Sequence, residues 1–387
     1  MRGITDAQSR ARGDVGPVPP DPLDLYGLKR SFERANELVD LVRETADPRF
    51  LLRARRALLP LPVIDRPATV ANPLPPAPQE RPIPFFEGKR VALVTTGGGG
   101  AAASIAGIAR AFEEAGIRPA YLSACSGGAI WGSMWAAGMN AHQIASFSLA
   151  WRPEDYLDIS WGALPSFALS ALRGFTGLAK GEAIEHLFDS RLRAMPVGET
   201  VFPITTIVYN IDRNRVEYFG TEETPELTIG ELVRIAIALP VFIEAVPVRG
   251  HLYVDGGLIE LFPAEPVIAQ DDFDHVFGLN FMLPPQFEPE DITGWQDSRL
   301  GILRASRQFQ QGYHLEFARR AKRRLGDSLT IIDPVDYSEL RGVSFYDLFI
   351  DRSHWPRLIR QGYEAASRAL EPFRAPTRSA GSRGSPG

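Results

Sequence analysis

One serine lies between the only cysteine of the chain and a pair of glycines, in the segment SACSGGAI. A serine on a sharp strand-to-helix turn exposes its hydroxyl as a nucleophile, and such a turn is written G-x-S-x-G because its neighbours are crowded. Here the frame is Ala124-Cys125-Ser126-Gly127-Gly128, in which alanine replaces the first glycine. The competing interpretation of Ser126 is a cap for the following helix, since serine is a favoured N-cap.

A carboxylate that could accept the serine proton occurs much further along the chain, in LYVDGGLIE. Asp255 ends a predicted strand, and Gly256 and Gly257 let the chain turn away. At the same carboxyl edge of a sheet as Ser126, a buried aspartate can serve as general base for a hydroxyl nucleophile. An ordinary Asp-Gly turn is the alternative interpretation.

A run of glycines between a predicted strand and helix, in TTGGGGAAAS, permits three kinds of site. A dinucleotide site would use Gly97, Gly99 and Ala102, but it needs an acidic residue after the next strand, which ends in LSA. A Walker loop needs a lysine that is missing here. In an oxyanion hole, the amides of Gly97, Gly98, Gly99 and Gly100 would stabilise a tetrahedral intermediate. A plain tight turn also stays open.

Short alternating elements must position these residues. RVALVTT predicts a buried strand, AAASIAGIARAFEEAG a helix, RPAYLSA a second strand and GGAIWGSMWAAG a second helix. This order predicts a parallel sheet with right-handed crossovers. Further strands are predicted in VFPITTIVYNIDRNRVEYFG, HLYVDGG, HVFGLNFML and LTIIDP. TIGELVRIAIALP predicts a helix in which Thr228 and Glu231 form a capping box.

The composition is that of a globular chain with a sizeable core. The 387 residues are 44% hydrophobic and 23% charged, with a net charge of −5, which does not suggest a nucleic-acid partner. A single cysteine cannot form an internal disulfide, and the first residues lack a secretory apolar core, so a cytoplasmic location is expected. The uncharged run Pro119–Trp151 contains polar residues and glycines, which favours a buried α/β core over a membrane span.

The glycine-rich loop, the x-Ser-x-Gly turn and the Asp-Gly-Gly turn occur together and in this order. The combination resembles the patatin-like phospholipase (PNPLA domain) family, and GIARAFEEAGI, GLAKGEAIEHLF and IAIALPVFIEAVPVRGHLYVDGG fit the same pattern. The resemblance covers about Arg90 to Val276. It implies a three-layer α/β/α sandwich with a mainly parallel central sheet. It also implies lipid acyl hydrolysis through an acyl-enzyme, with Ser126 as nucleophile, Asp255 as base and Gly97 to Gly100 as oxyanion hole.

Three positions depart from the family pattern. Family members commonly have Arg-Gly shortly after the glycine run, where this chain has Ala101 and Ala102, and Ala124 replaces the first glycine of the serine turn. The missing arginine removes a charge near the oxyanion or a lipid phosphate. A catalytically silent module that binds a lipid or a partner protein therefore stays open as an alternative.

A Ser–His–Asp esterase is the other alternative, since His275, His314 and His354 all follow Asp255 in the chain. None of the three lies in a recognisable loop motif, and His251 is expected to be structural. No cofactor and no metal site are expected, and the expected partner is a lipid or another acyl-ester substrate.

Four regions are predicted along the chain. Residues 1–88 comprise a disordered start, a helical segment and a Pro-rich connector; residues 89–276 form the catalytic domain; residues 277–374 are mainly helical; residues 375–387 are a disordered tail. The apolar segment Trp161–Leu178 forms either a lid at a membrane or a core helix. The basic run Arg319–Arg324 contacts anionic head groups at a membrane surface or is a solvated helix face.

Overall fold

A computed structural model describes most of the chain between residues 70 and 374. The described residues are 70–156, 158, 177, 179–240, 242–289, 301–340, 348 and 352–374, with side chains described for all of these except 153, 154 and 301–310. The predicted disordered start and helical segment, nearly all of the predicted lid and the predicted tail lie outside the described residues.

The chain divides into two compact units, Met1–Leu51 with Thr293–Gln310 and Leu52–Ile292 with Gln311–Gly387. Of the first unit, residues 301–310 are described, and their backbone is helical. The sheet, its apolar clusters and the candidate site all belong to the second unit. The regions predicted from the sequence have other boundaries and remain a prediction.

The second unit contains one mixed sheet with the strand order β5-β6-β3-β2-β1-β7-β8, and β4 pairs with β3. The strands are β1 (Val91–Thr95), β2 (Pro119–Ala124), β3 (Ile204–Asn210), β4 (Arg215–Gly220), β5 (Val246–Val248), β6 (His251–Asp255), β7 (His275–Leu279) and β8 (Leu329–Ile332). Five neighbouring strands of the sheet, β3-β2-β1-β7-β8, are parallel to one another. The pairs β3–β4, β3–β6 and β5–β6 are antiparallel. The strand predictions are confirmed, and β5 is an additional short strand.

Helices cover both faces of the sheet. They are α1 (Ile105–Ala115), α2 (Gly127–Ala136), α3 (Ala141–Ala150), α4 (Pro153–Tyr156), α5 (Glu182–Leu192), α6 (Ile229–Ala236), α7 (Glu265–Gln270), α8 (Gly301–Leu325) and α9 (Trp355–Arg374). Single turns of 3-10 helix are Pro84–Phe86, Val197–Glu199, Gly256–Leu258, Pro285–Phe287, Gly326–Ser328, Tyr337–Leu340 and Arg352–His354, and a longer one is Gly99–Ser104. The capping box of α6 is present, because the Glu231 amide donates to Thr228 Oγ1 (3.1 Å) and the Thr228 amide to Glu231 Oε2 (2.8 Å).

The side chains of β1 alternate between two apolar clusters. Val91 and Leu93 join the larger cluster, whereas Ala92 and Val94 join the smaller one. Successive strand residues point to opposite faces, so each cluster fills one face of the sheet. Both clusters include helical residues, which confirms an α/β fold with a mainly parallel sheet between helices. The uncharged run 119–151 becomes β2, α2 and α3, and no helix among the described residues is long and apolar enough to cross a membrane.

Two strands meet end to end beside β3. Residues 208–210 of β3 pair with both β4 and β6, and Thr205 and Thr206 pair with both β4 and β2. Because β4 occupies one side of β3, both β2 and β6 lie on its other side. There β2 pairs with the first half of β3 and β6 with the second half, and the two strands run toward each other. Ala124 ends β2 opposite Thr206, and Asp255 ends β6 opposite Val208. The residues that follow Ala124 therefore lie close to Asp255.

The last helix supports the glycine-rich segment. A methyl group on Gly362 of α9 would overlap the carbonyl oxygen of Ser104, which ends the 3-10 helix Gly99–Ser104. A methyl group on Gly107 of α1 would overlap the carbonyl oxygen of Ile359. The two glycines let α9 lie directly against α1 and the segment before it.

His275 begins β7 at the opposite edge of the sheet from Ser126. It is 3% exposed, its Nε2 shares a hydrogen bond of 3.0 Å with Thr330 Oγ1, and its ring contacts Phe86, Phe277 and Phe373. Burial, together with the nearby Lys89 ammonium, lowers the pKa of His275 to about 4. The native structure therefore holds this imidazole neutral.

We expect His275 to weaken the protein in acid. Below about pH 6.5 the unfolded chain binds a proton at this residue, while the folded chain does so only near pH 4. Between pH 7 and pH 5 this imidazole should therefore lower the free energy of unfolding by about 2 kcal/mol. Urea unfolding of wild type and His275→Gln at both pH values measures the difference, in which the other titrating groups cancel. The exposed His186→Gln is the control, and equal pH dependence of wild type and His275→Gln would contradict the assignment.

Candidate active site

Ser126 lies between β2 and α2 in an unusual backbone conformation. Its φ is 48° and its ψ is −125°, a combination that residues with a side chain rarely adopt. It occupies the N-cap position of α2, but its side chain makes no capping hydrogen bond. The capping interpretation is therefore wrong, and the serine is held on a strained strand-to-helix turn. Ser126 is partly exposed, whereas its neighbours Cys125 and Gly127 are buried.

The glycines after Ser126 allow the first loop of the sheet to approach the turn. A methyl group on Gly127 would lie 2.6 Å from both the amide nitrogen and the carbonyl oxygen of Gly99. A methyl group on Gly128 would overlap Thr95 Oγ1. The backbone of the glycine-rich loop thus packs against the start of α2. No larger residue fits either position without displacing that loop.

The Ser126 side chain lies close enough to the Asp255 carboxyl group to favour its charged form. The carboxyl group is 2% exposed, and its Oδ1 accepts a hydrogen bond from the Gly257 amide at 2.8 Å. The Asp255 amide donates to the Ala238 carbonyl at 3.0 Å, which fixes the end of β6. Burial raises the pKa of Asp255 to about 6, although the Ser126 side chain and the Gly257 amide each lower it. The group is therefore a carboxylate at neutral pH with a higher proton affinity than a solvated aspartate.

The turn after Asp255 also depends on close packing. A methyl group on Gly256 would lie 2.7 Å from the carbonyl carbon of Ile207 in β3. A methyl group on Gly257 would lie 2.8 Å from Cys125 Sγ and 3.0 Å from Asp255 Oδ1. Both glycines are buried. The Asp-Gly-Gly sequence thus lets the chain turn tightly enough to keep the carboxyl group against the serine turn.

The glycine-rich loop starts directly beside the serine. A methyl group on Gly97 would lie 3.3 Å from Ser126 Cβ and 3.5 Å from Cys125 Sγ, and the nearby Gly97 amide favours the charged form of that thiol. The amides of Gly98, Gly99 and Gly100 donate no hydrogen bond to any described residue. The first intrahelical bond runs from the Ala101 amide to the Gly98 carbonyl (3.0 Å), so these three N–H groups form the open start of the 3-10 helix.

A threonine that the sequence gave no reason to single out anchors this loop. Thr96 Oγ1 donates to the Gly97 carbonyl (2.9 Å) and accepts from the Phe281 amide (2.7 Å). The Thr96 amide donates to the Leu279 carbonyl at 3.0 Å. A methyl group on Gly98 would overlap Phe281 Cβ. The glycine-rich loop is therefore fixed to the end of β7. The sequence could not predict this anchor, because it depends on the pairing of β1 with β7.

The three departures from the family pattern lie away from the open side of the site. Ala101 and Ala102 are fully buried in the 3-10 helix, and Ala124 is fully buried at the end of β2. Ala124 has ordinary strand geometry, and its carbonyl accepts from Thr206 Oγ1 at 3.1 Å. The positive φ falls on Ser126 instead, so alanine replaces glycine here without backbone strain.

No described histidine is a hydrogen-bond partner of Asp255. His251 is at the far end of β6, with Nδ1 3.6 Å from Asp212 Oδ2. Cys125 is buried beneath the serine, and burial, reinforced by Asp255, raises the pKa of its thiol well above the ordinary value. A cysteine in this state is an inert packing residue. Among the described residues, no group of histidine, cysteine, aspartate and glutamate side chains could hold a metal ion.

Two more residues near the dyad have no sequence motif. Burial, with help from the Glu265 carboxylate, raises the pKa of Glu260 to about 7. The Glu260 carbonyl accepts from Cys125 Sγ at 3.8 Å. The next residue is Leu261, whose Cδ2 would lie 3.3 Å from a methyl group on Gly97 and 3.5 Å from one on Gly257. An apolar run after an Asp-Gly-Gly turn is the only sequence signal for either residue.

A serine on a strained elbow, beside a buried aspartate at the edge of an α/β sheet, defines the arrangement. Residues 93–268 match the family model described as patatin-like phospholipase. This match confirms the resemblance to the patatin-like phospholipase family that was inferred from the sequence. None of the curated proteins matches the chain.

Several solved structures are similar to the chain at low identity. VipD from Legionella pneumophila is 14% identical, with 74% of this chain and 67% of that chain covered and a TM-score of 0.42. Human GIVD cytosolic phospholipase A2 is 11% identical, with 90% and 65% covered and a TM-score of 0.43. ExoU from Pseudomonas aeruginosa, in complex with SpcU, is among the matches at 17% identity, 76% and 53% coverage and a TM-score of 0.35. The chain thus spans between about half and two thirds of the length of these structures.

The strain at Ser126 predicts a stability difference between two variants. Ser126→Gly and Ser126→Ala both remove the hydroxyl beside Asp255. Only glycine adopts φ 48° and ψ −125° without a steric penalty, so we expect Ser126→Gly to be more stable than Ser126→Ala by about 1 kcal/mol. Urea unfolding measures the difference. An alanine variant as stable as the glycine variant would show that the turn is not strained.

Proposed function

We propose that the protein is a lipid acyl hydrolase, of phospholipase A or carboxylesterase type, that uses a Ser126–Asp255 dyad. The observation that carries the proposal is the partly exposed serine on its strained turn, whose side chain lies beside a buried aspartate. The patatin-like phospholipase match of residues 93–268 supports an ester of a lipid as substrate.

In the proposed first step, Asp255 takes the Ser126 proton as Ser126 Oγ attacks the ester carbonyl. The raised pKa of Asp255 makes it a better proton acceptor than a solvated carboxylate. The unpaired amides of Gly98, Gly99 and Gly100 stabilise the oxyanion, and the Gly97 amide holds the loop against Cys125. Collapse of the tetrahedral intermediate breaks the ester bond, and the leaving alkoxide takes the proton from Asp255.

In the proposed second step, water hydrolyses the acyl-enzyme. Asp255 takes a proton from the water molecule as its oxygen attacks the acyl carbonyl. The same loop amides stabilise the second oxyanion. The Ser126 oxygen then leaves, regains a proton from Asp255 and releases the fatty acid. An alcohol in place of water would make the same site a transacylase.

The alternatives have weaker support. A Ser–His–Asp scheme needs an imidazole between the two groups, but no described histidine pairs with Asp255 and His275 lies at the other edge of the sheet. A silent binding module would not need a strained serine. The substitutions at Ala101, Ala102 and Ala124 remove no group that the proposed chemistry uses.

Contact with a membrane surface remains part of the proposal, but the basic run on α8 adds little to it. Arg320 and Arg323 pair with Glu316, Lys322 pairs with Glu288, and Arg324 pairs with Glu265. Exposed pairs of this kind neutralise most of the local positive charge. This observation favours the solvated helix face for Arg319–Arg324.

Loss of either member of the dyad should abolish turnover. We expect Ser126→Ala and Asp255→Asn to lower kcat/KM for a p-nitrophenyl acyl ester by at least about a thousandfold. Ser126→Ala should also lose labelling by a fluorophosphonate probe. His275→Gln, His314→Ala and His354→Ala serve as controls that keep acyl-enzyme turnover. Loss of turnover in any of these histidine variants would defeat the dyad, and a wild type that is never labelled would favour the silent module.

The pKa of Asp255 predicts the pH dependence of Ser126 reactivity. The carboxylate is the active base, and its fraction rises with pH around a pKa of about 6. The rate of labelling by a fluorophosphonate should therefore increase about tenfold from pH 5 to pH 7 and level off above. Glu260→Gln is the control that removes a nearby carboxyl group whose pKa is also raised, and it should leave the midpoint near pH 6. A labelling rate that does not vary over this range would be inconsistent with Asp255 as base.

A further inference from the structure

Leu261 lies at the point where the two parts of the dyad meet the glycine-rich loop. A methyl group on Gly97 would lie 3.3 Å from Leu261 Cδ2 and 3.3 Å from Ser126 Cβ. A methyl group on Gly257 would lie 3.5 Å from the same Cδ2 atom and 3.0 Å from Asp255 Oδ1. Leu261 Cδ2 therefore lies within about 7 Å of both Ser126 Cβ and Asp255 Oδ1.

This side chain is not part of the closed core. Leu261 is partly exposed and packs on the smaller apolar cluster from its edge, whereas Phe262 is fully buried within that cluster. Leu258 and Ile259 are also partly exposed, and they pack against neither apolar cluster of the described residues. The segment after Asp255 thus leaves an apolar strip uncovered next to a reactive serine.

The chemistry of the proposed reaction requires such a strip. The substrate carbonyl carbon must contact Ser126 Oγ while its oxygen faces the loop amides, so the acyl chain has to leave along another side of the serine. An alkyl chain gains stability on an apolar wall, at about 0.8 kcal/mol for each buried methylene. Leu261 is an apolar side chain whose Cδ2 would lie 3.3 Å from a methyl group on Gly97 and 3.5 Å from one on Gly257, so it faces both turns that flank this position.

We propose that Leu261 contacts the first methylenes of the acyl chain and determines the preference of the enzyme for acyl-chain length. This inference rests on the proposed acyl hydrolysis and adds a residue that binds the substrate. The bound chain covers Leu261 Cδ2, excludes water from the Ser126–Asp255 pair and continues over Leu258 and Ile259. The removal of atoms from Leu261 should therefore penalise long acyl chains and spare short ones.

The test compares p-nitrophenyl octanoate with p-nitrophenyl acetate on the full chain. In Leu261→Ala the ratio of kcat/KM for octanoate to kcat/KM for acetate should fall about tenfold, which corresponds to roughly two unburied methylenes. Leu261→Met keeps the volume and apolar character and should hold the ratio within about twofold of wild type. Leu252→Ala removes the same atoms from the exposed start of β6, where the leucine is 41% exposed, and should leave the ratio unchanged. The ratio is independent of the folded fraction of each preparation.

Two results would overturn the inference, and they differ in what else they remove. If wild type shows Ser126-dependent turnover and Leu261→Ala keeps the wild-type ratio, Leu261 does not bind the chain, although the proposed hydrolysis stands. If wild type hydrolyses neither ester, the proposed function fails and the inference with it. Should Leu261→Ala not fold, Leu261→Val provides the same comparison with an expected fall of about threefold, and an unchanged ratio in that variant is equally decisive.

Discussion

The site exists because two strands that run in opposite directions end at the same place beside β3. The hydroxyl of Ser126 and the carboxyl of Asp255 are separated by more than a hundred residues of sequence. Ser126 follows β2, which ends opposite Thr206, and Asp255 ends β6 opposite Val208, only two positions further along β3. Backbone pairing therefore fixes the approach of the two groups before any side-chain interaction contributes. The glycines that follow each of them then allow the remaining distance to close.

Close packing at this junction also controls the chemistry. Burial raises the pKa of the aspartate, while the serine hydroxyl and the Gly257 amide hold it in the charged form. The same packing places the Cys125 thiol below the turn, where burial and the nearby Asp255 keep it neutral. One crowded arrangement thus raises the proton affinity of a carboxylate and keeps the neighbouring thiol from ionising.

The sequence predicts the individual strands, helices and turns, but not how they come together in space. Apolar runs, glycine turns and the Thr228–Glu231 cap predict β1, β2, β6, α2 and α6, and the small residues around Ser126 predict its elbow. The direction of β6 could not be predicted, because it depends on which strand it pairs with. The anchoring of Thr96 to Phe281 and the contact of Leu261 with both turns join residues far apart in the chain. A sequence pattern records neither, since each side chain there is ordinary for its position.

The close approach of Gly362 to Ser104 shows that the packed unit extends beyond the residues that match the family model. Residues 93–268 contain the serine, the aspartate and the glycine loop, but β7, β8 and α9 lie beyond them. A fragment trimmed to the matched residues would expose one side of β1 and remove the floor under the loop. Expression of that segment by itself should yield an open sheet edge prone to self-association. The strands β7 and β8 and the helix α9 are therefore structural parts of the same unit as the candidate site.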